Sequence, residues 1–451
     1  MPPIRHVIGI ETWNGGSHAA VRRSIDQHSR HVWTWVTLPA RGWRWRMRTG
    51  AWRVAEMMAG GDVESGGGDG GLAPEIRQGP GDLLFATSLI SIPDLHAAMH
   101  RNGVLERGGC SDQRGGHGGC VGGDRGGGDK GDGADLGARA GGGGGGEGGE
   151  GGGGGEGGGG KGGGGKGGGI QVHAPDGRPC TLLYMHENQA AYPAGPSGAD
   201  ERDAHLALTN LGSLLAADRV LWNSEWNRRS FVRALHQLLK HDPDPPAAAA
   251  RSRLEQLGQV AWPPVEDPGP SETRIDTHVN NESRVPIRVV WPHRWEHDKG
   301  PDELLALAER WTDRLNLRWI VLGERYERVP PALAEFRERF GHAIEHDGWA
   351  ADADEYHRWL HAADWVLSTA RHEFFGIAVV ESLLAGCLPW LPARLSYPEL
   401  LPAIARDLEP SRPPSDPAAI RAAIRRHLEP AIAPRAVHAI DAHIDAVLAE
   451  W

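Results

Sequence analysis

Short apolar segments alternate with helical segments along most of this chain, and that alternation constrains the fold more than any other feature of the sequence. Strands separated by helices favour a parallel, doubly wound sheet. The strands predicted in the first half are 7–10, 31–38, 82–87, 181–185 and 219–222. Those predicted in the second half are 287–291, 317–322, 343–346 and 365–368. We therefore predict an α/β protein with two Rossmann-like, doubly wound domains that face a cleft, with ligands at the carboxyl ends of the strands.

A glycine-rich tract at 108–169 interrupts the first domain between its third and fourth strands and holds 38 of the 65 glycines of the 451-residue chain. Such a segment cannot bury enough apolar surface to offset the entropy of ordering its backbone, so we predict a disordered insertion. A second break, rich in proline and acidic residues, precedes the second domain. The predicted organisation is an N-terminal domain at 1–107 and 170–264, the insertion at 108–169, a linker at 265–286 and a C-terminal domain at 287–451.

Charge and cysteine content exclude several classes of protein. The net charge is −11, so any contact with nucleic acid must come from a local basic patch. Four cysteines, two of them inside the glycine tract, do not make a disulfide framework and favour a reducing compartment. No apolar run reaches the roughly 18 residues of a membrane span, and the N-terminal strand is followed by polar Glu11, unlike a signal peptide. We expect a soluble, cytoplasmic protein.

Two polar motifs follow strands of the N-terminal domain. The first, Gly15-Gly16-Ser17-His18, begins a helix that Ser17 is expected to cap, and its glycines let backbone N–H groups approach a phosphate. An ordinary strand-to-helix turn explains this motif equally well. The second, His186-Glu187-Asn188-Gln189, ends a buried strand with four polar residues, which is costly unless they face a cleft. This position favours a functional site over a satisfied structural network.

The stretch from Trp291 to Gly300 follows the first strand of the C-terminal domain. Arg294 can bind two phosphate oxygens and Lys299 can add a point charge. His293, Glu296 and His297 also fit the H-x-x-E-H spacing of zinc proteases. That chemistry needs both histidines on one helical face, and the surrounding prolines and glycine leave no such helix. We therefore predict a phosphate site here and no metal site.

Two glutamates separated by seven residues, Glu373 and Glu381, flank a Phe-Gly turn in the segment 372–381. Glu373 is expected in a loop and Glu381 about one turn into the next helix. Carboxylates at these positions can accept hydrogen bonds from sugar and ribose hydroxyls.

The segment Trp43-Arg44-Trp45-Arg46-Met47-Arg48 follows the second strand. Alternating arginine and tryptophan offers phosphate contacts and stacking surfaces for unpaired bases. An edge strand with one packed and one solvated face explains the pattern equally well.

Together these motifs resemble the retaining family 4 glycosyltransferases of GT-B fold, and more closely the tRNA-queuosine α-mannosyltransferase family. The closer resemblance rests on the strings at 15–18, 38–39 with 43–46, 184–189 with 192–193, 290–299 and 372–376. It covers roughly 1–107 and 170–405, and the string at 290–299 is its most specific part. The glycine insertion and the shortened linker depart from the family pattern.

The resemblance implies transfer of mannose from GDP-mannose to the cyclopentenediol of queuosine in a tRNA anticodon loop, with retention. The N-terminal domain would hold the acceptor and the C-terminal domain the nucleotide sugar. No cofactor and no metal is expected, because cationic side chains and backbone donors would stabilise the charge on the leaving diphosphate. Two alternatives stay open: a family 4 enzyme with another acceptor, such as a lipid or a small glycoside, and a non-catalytic RNA-binding relative. The oligomeric state is left open.

The resemblance also assigns roles, residue by residue. The predicted catalytic residues are His186, beside the reacting sugar, and Glu373, at the donor sugar. Glu381 would contact the ribose, and Arg294 and Lys299 the diphosphate. The full donor-binding set is Gly15, Gly16, Arg294, Lys299, Gly376 and Glu381. The set predicted to contact the acceptor or tRNA is His18, Arg44, Arg46, Arg48, Glu187, Asn188 and Gln189.

Overall fold

Two parallel β-sheets, one from each half of the chain, organise the molecule. The computed structural model describes residues 2–60, 81–106, 169–192, 204–241, 258–270, 285–325 and 328–451. The predicted glycine-rich insertion and most of the predicted linker lie outside these residues. No described helix combines the length and apolarity that crossing a bilayer requires.

The N-terminal sheet is built around a buried central strand. Strands β1 to β8 are His6–Asn14, Val32–Pro39, Leu83–Thr87, Leu105–Glu106, Val172–His173, Thr181–Met185, Arg219–Trp222 and Gln259–Val260. Among the described residues the main sheet has the order β2-β1-β3-β6-β7-β8 with all neighbours parallel. A separate parallel pair joins β4 to β5, with Leu105 opposite Val172. The order places the carboxyl ends of β1, β6 and β7 on one edge, where polar motifs follow them.

Helices flank this sheet as the alternation predicts. Helices α1 to α5 are Gly16–His28, Trp43–Met58, Ile92–Arg101, Ala204–Ala216 and Glu225–Leu238. Gly15 occupies the N-cap of α1 in an extended conformation, and Ser17 lies inside the helix. The prediction that Ser17 caps α1 is therefore wrong, and its hydroxyl is available for another contact.

The Trp/Arg segment lies in helix α2, so the edge-strand interpretation is wrong. Met47, Ala51, Val54 and Met58 are buried at helical spacing, and this periodicity decides the local structure. The alternation of arginine and tryptophan covers only the first turns, too short a stretch to override it. Gly42 begins the helix in a left-handed conformation, with φ of 61°.

The C-terminal sheet repeats the architecture. Strands β9 to β13 are Ile287–Trp291, Leu317–Leu322, Ile344–Gly348, Trp365–Leu367 and Leu388–Trp390, in the parallel order β11-β10-β9-β12-β13. Helices α6 to α12 are Pro301–Trp311, Pro331–Phe340, Ala353–Ala362, Ile377–Leu384, Tyr397–Leu400, Pro417–Leu428 and Ala433–Glu450. Four fully buried tryptophans fill the core beside or within these strands: Trp291, Trp295, Trp319 and Trp365. The two facing α/β lobes confirm the predicted GT-B class.

The last helix, α12, crosses back to the N-terminal lobe. Its Val437, Ile440 and Ile444 share one buried cluster with Val7 and Val21 of that lobe. The Asp441 carboxylate also accepts hydrogen bonds at 2.6 Å from Ser29 Oγ and at 2.9 Å from the N–H of Arg30. The helix belongs to the C-terminal domain in the sequence-based division, but its apolar face completes the N-terminal core.

Candidate functional site

A cleft cavity of about 110 Å³ lies between the carboxyl ends of the two sheets. The N-terminal wall comes from the turns after β1, β6 and β7, and the C-terminal wall from the turns after β9 and β12. The side chains that line it include Ser17, His186, Glu187, Tyr192, Asn223, Arg294, Asp298, Lys299, His372 and Glu373, with Phe374 to Ile377 closing one side. Parallel sheets place their ligand sites at this edge.

Lys299 is the central cation of the C-terminal wall. It ends a single 3-10 turn, His297–Lys299, and is followed by Gly300 in a left-handed conformation, with φ of 65°. A Cβ at position 300 would come within 2.1 Å of the Thr369 carbonyl oxygen, so only glycine permits this close approach of the β9 and β12 turns. The approach brings Lys299 Nζ to 3.3 Å from Glu373 Oε2 and 3.1 Å from Asp298 Oδ2.

The charges of this wall stabilise one another. Burial would lower the pKa of Lys299, but the carboxylates of Glu373 and Asp298 outweigh burial and raise it. Burial would raise the pKa of Glu373, but the ammonium of Lys299 outweighs it and lowers the pKa to about 2. Both groups are therefore ionised at neutral pH, with Lys299 only 7% exposed.

A network of three charged groups supports the N-terminal wall. His18 Nδ1 donates to Glu11 Oε2 at 2.9 Å, and His18 Nε2 donates to Glu187 Oε1 at 3.1 Å. Burial would lower the pKa of His18, but these carboxylates raise it to about 10. Burial would raise the pKa of Glu187, but His18 lowers it to about 2. One imidazolium thus lies between two carboxylates, and of the three only Glu187 lines the cleft.

His186 faces the same cleft as a neutral imidazole. Its ring lies 4.1 Å from the ring of His18, and its Nε2 is 2.9 Å from Ser17 Oγ. Burial and the positive charge of His18 lower the pKa of His186 to about 3. This histidine can therefore orient a hydroxyl by hydrogen bonding, but it carries no proton to donate as an imidazolium at neutral pH.

Comparison with known proteins finds a similarity to one family. The N-terminal domain profile of tRNA-queuosine α-mannosyltransferases matches residues 6–106 and 173–265. The tRNA-queuosine α-mannosyltransferase of Drosophila melanogaster is 35% identical over 236 residues, which cover 51% of this chain and 61% of that protein. The N-terminal half of the chain is therefore similar to that family, and the match spans only 61% of the relative's length. The two parts of the profile match lie on either side of the glycine-rich tract.

The fold has a counterpart among solved structures. The N-terminal domain of Candida albicans trehalose-6-phosphate phosphatase matches with a TM-score of 0.54 at 9% identity. That match covers 100% of this chain and 97% of that domain. At such low identity it shows the two-lobed fold alone.

The residues predicted to bind the donor differ in how far they are buried and in whether they line the cavity. Arg294 lines the cavity with its side chain 47% exposed and pairs with Glu296 at 3.2 Å. Gly376, with φ of 96°, lines the cavity and begins α9. Gly15 and Gly16 form the turn into α1 beside the cavity-lining Ser17. Glu381 does not line the cavity; its Oε2 accepts a hydrogen bond from the Tyr356 hydroxyl at 2.6 Å.

The predicted acceptor residues near the cleft are of two kinds: one lines the cavity, and the others lie behind it and support it. Glu187 lines the cavity, and His18 holds it from behind. Asn188 is fully buried and donates to Asn227 Oδ1 at 2.6 Å, which ties the turn after β6 to α5. Gln189 is also buried, and its Nε2 donates to Glu187 Oε2 at 3.4 Å. Neither amide lines the cavity.

The three predicted tRNA arginines lie on α2, at the rim of the cleft. Trp43, at the start of α2, packs against Tyr192 with ring centroids 6.0 Å apart, and Tyr192 lies 4.5 Å from His372 inside the cleft. Arg44 and Arg48 are exposed on one face of the helix, whereas Arg46 is half-buried on another. The start of α2 therefore packs beside the cleft wall.

The H-x-x-E-H residues do not converge. His293 Nε2 is 2.8 Å from Ser368 Oγ, Glu296 pairs with Arg294, and His297 begins the 3-10 turn. Among the residues that the structure describes, no group of three or more His, Cys, Asp or Glu side chains is arranged so that it could hold a metal ion.

Sequence reasoning missed several cleft residues, of which His372 is the most informative. Its Nε2 is buried and, within the described part of the chain, has no hydrogen-bond partner. Burial and the charge of Lys299 lower its pKa to about 4, so the ring is neutral. Its position directly before Glu373 in the sequence is the signal that could have identified it as a cleft residue. Asn223 carried no comparable motif, whereas Tyr192 belongs to the 192–193 string of the family resemblance.

Proposed function

We propose that this protein transfers mannose from GDP-mannose to the cyclopentenediol of queuosine in the anticodon loop of a tRNA, with retention of configuration. The similarity of the N-terminal domain to the family profile and the name of the Drosophila relative support the activity and the acceptor. The observation that carries the proposal is the charge arrangement of the cleft. Cationic Lys299 and Arg294 line one wall together with the carboxylates of Asp298 and Glu373, and anionic Glu187 lines the other wall.

The C-terminal wall suits the donor. Glycosyl transfer passes through an oxocarbenium-like state while negative charge grows on the leaving diphosphate. Lys299 and Arg294 would stabilise that charge where it develops, and the proposal includes no metal. Glu373, ionised by its contact with Lys299, would accept hydrogen bonds from hydroxyls of the mannose.

The N-terminal wall suits a diol. An ionised carboxylate accepts hydrogen bonds and donates none, so Glu187 favours a ligand that presents hydroxyls. In the proposed step the bond from C1 to the phosphate oxygen breaks, and the acceptor oxygen bonds to C1 on the same face. The acceptor's hydroxyl proton passes to the leaving phosphate oxygen, and neutral His186 orients the sugar. We place this reaction in the cytoplasm, as the cysteine content predicts.

The test is incubation of the full chain with GDP-mannose and queuosine-containing tRNA, followed by nucleoside mass spectrometry. We expect one hexose on queuosine, removed by an α-mannosidase and not by a β-mannosidase, because retention keeps the α configuration. GDP-glucose and UDP-galactose serve as donor controls, and tRNA with unmodified guanine at the queuosine position as acceptor control. Release of GDP without any change in queuosine would contradict the acceptor, and product with UDP-galactose alone would contradict the donor.

A further inference from the structure

Helix α2 exposes two large aromatic rings on one side. Trp45 is 71% exposed and Trp52 is 53% exposed. Such exposure is unfavourable, because the free energy gained on burying a side chain grows with its apolar area, which is large in tryptophan. They are seven positions apart, which is about two helical turns and roughly 10 Å along the axis. Arg48 lies between them on the same exposed face, and Arg44 precedes them. The apolar side chains of α2 pack inward, so these rings are not part of the core.

The same helix concentrates positive charge in an acidic protein. The stretch from Arg41 to Met58 contains five arginines, and its single acidic residue is Glu56. Burial, and then the neighbouring charges of Arg41 and Arg53, lower the pKa of Arg46. Glu56 pairs with Arg53 at 3.8 Å, and an approaching anion would further relieve the repulsion among these arginines.

Helix α2 begins beside the cleft. Trp43 packs on Tyr192, and Tyr192 packs on His372, which lines the cavity with its Nε2 unpartnered among the described residues. A ligand seated in the cleft would therefore lie near the start of α2, where Arg44 is exposed.

We propose that the exposed face of α2 formed by Arg44, Trp45, Arg48 and Trp52 is a base-stacking surface for unpaired nucleotides of an RNA loop. The inference rests on the proposed function and adds the surface that would hold the RNA substrate. Tryptophan rings stack on bases of any sequence, and arginines between them bind the phosphates. Paired bases are already stacked, so this surface selects single-stranded RNA. A lipid surface fits less well, because arginines interrupt the apolar rings and leave no continuous apolar face to insert.

The test uses an anticodon stem-loop RNA without queuosine and a fully paired RNA duplex of the same length. Binding of each to the full chain is followed by fluorescence anisotropy at several salt concentrations. Trp45→Ala and Trp52→Ala are compared with Trp349→Ala, a control at a tryptophan that is 72% exposed in the C-terminal lobe. Trp45→Phe and Trp52→Phe test rescue by another aromatic ring, and thermal melting checks the fold.

We expect each alanine variant to weaken stem-loop binding about ten-fold without changing its salt dependence, since stacking releases no counterions. Arg44→Gln and Arg48→Gln should instead reduce the salt slope by about one unit each. Trp349→Ala should bind like wild type, and the phenylalanine variants should recover much of the loss.

Three results would overturn the inference: no binding of the stem-loop by wild type, unchanged binding by both alanine variants, or duplex bound as tightly as the loop. Tryptophan-dependent binding to phosphatidylserine vesicles without RNA binding would assign the face to membranes instead. The two proposals fail separately. Loop binding through Trp45 and Trp52 without mannosyl transfer would remove the proposed function, and transfer with unaltered RNA affinity in the double variant would remove the stacking surface.

Discussion

On the N-terminal wall of the cleft one imidazolium lies between two carboxylates; on the C-terminal wall one ammonium lies between two carboxylates. His18 contacts Glu11 and Glu187, and Lys299 contacts Asp298 and Glu373. The two triads contain the same charges but differ in whether the cation itself lines the cavity. His18 is enclosed behind Glu187, whereas Lys299 itself lines the cavity.

This difference in depth separates two chemistries. A cation that reaches the cavity can bind an anion such as a diphosphate. A cation enclosed behind a carboxylate instead keeps that carboxylate ionised and fixed. Such a triad presents only the acceptor oxygens of the carboxylate to the cavity. The comparison therefore predicts different consequences when each cation is removed.

Replacing Lys299 should have the largest effect. Lys299→Met keeps the length of the side chain but leaves Asp298 and Glu373 buried without their cation. We expect turnover to fall at least a hundred-fold and the free energy of unfolding to fall by about 3–5 kcal/mol. Steady-state kinetics and urea unfolding measure the two losses, with Lys240→Met as the control, because Lys240 is an exposed lysine at the end of α5.

Replacing Arg294 should separate activity from stability. The side chain is half-exposed, so Arg294→Ala leaves no buried charge unpaired, and we expect about a hundred-fold loss of turnover with an unchanged melting temperature. Wild-type turnover in this variant would remove Arg294 from the site. A loss of stability equal to that of Lys299→Met would contradict the difference in depth.

Replacing His18 should change the pH dependence of stability. Its pKa is raised from 6.5 to about 10 in the folded state, so its contribution is complete below pH 6.5 and is lost as the pH rises towards 10. His18→Gln should therefore be destabilised most below pH 6.5, and its unfolding free energy should decline less steeply than that of wild type across this window. Urea unfolding at several pH values measures the slope, and His342→Gln is the exposed control. Parallel wild-type and His18→Gln profiles would show that His18 is neutral.

The sequence predicts the parts of this site that are local. Helix-separated strands predicted β6, β7, β9 and β10 with the bounds that the structure has, because each is a short apolar run between polar turns. Polar motifs directly after these strands predicted the cleft side chains. Both signals depend only on neighbours in the chain.

The missing parts depend on contacts between distant residues. Glu11 and Glu187 are 176 positions apart and meet only because β1 and β6 lie on either side of β3 in one sheet. Nothing near Glu11 in the sequence shows that it pairs with His18. The helical state of α2 was not predicted. Arginine and tryptophan alternate over its first turn, as in a strand, and the apolar residues at helical spacing begin only at Met47.

A smaller effect is expected at Glu381, behind the cleft. Burial, together with the charge of Glu266, raises its pKa from 4.5 to about 7, so ionisation disfavours the folded state above pH 7. Glu381→Gln should melt at a slightly higher temperature than wild type above pH 7 and at the same temperature below pH 4.5. If the family's ribose contact holds, the KM for the donor rises as well. A variant less stable than wild type at high pH would show that the carboxylate is needed there as an anion.

The smallest effect is expected from deleting 108–169. The pairing of Leu105 with Val172 brings the flanking chain together, so a short glycine–serine linker can replace the tract. Melting temperature and turnover should equal those of the full chain. A folded but inactive deletion variant would give the tract a role in the reaction.

The return of α12 to the N-terminal lobe has a consequence for synthesis. The ribosome releases the strands of that lobe long before Val437, Ile440 and Ile444, which complete its core, have been translated. Until then the nascent lobe carries an uncovered apolar groove around Val7 and Val21, a surface that chaperones bind and that promotes aggregation. A stop codon anywhere before residue 433 would leave that surface exposed, so residues 433–450 are needed to cover a core that begins with the first strand.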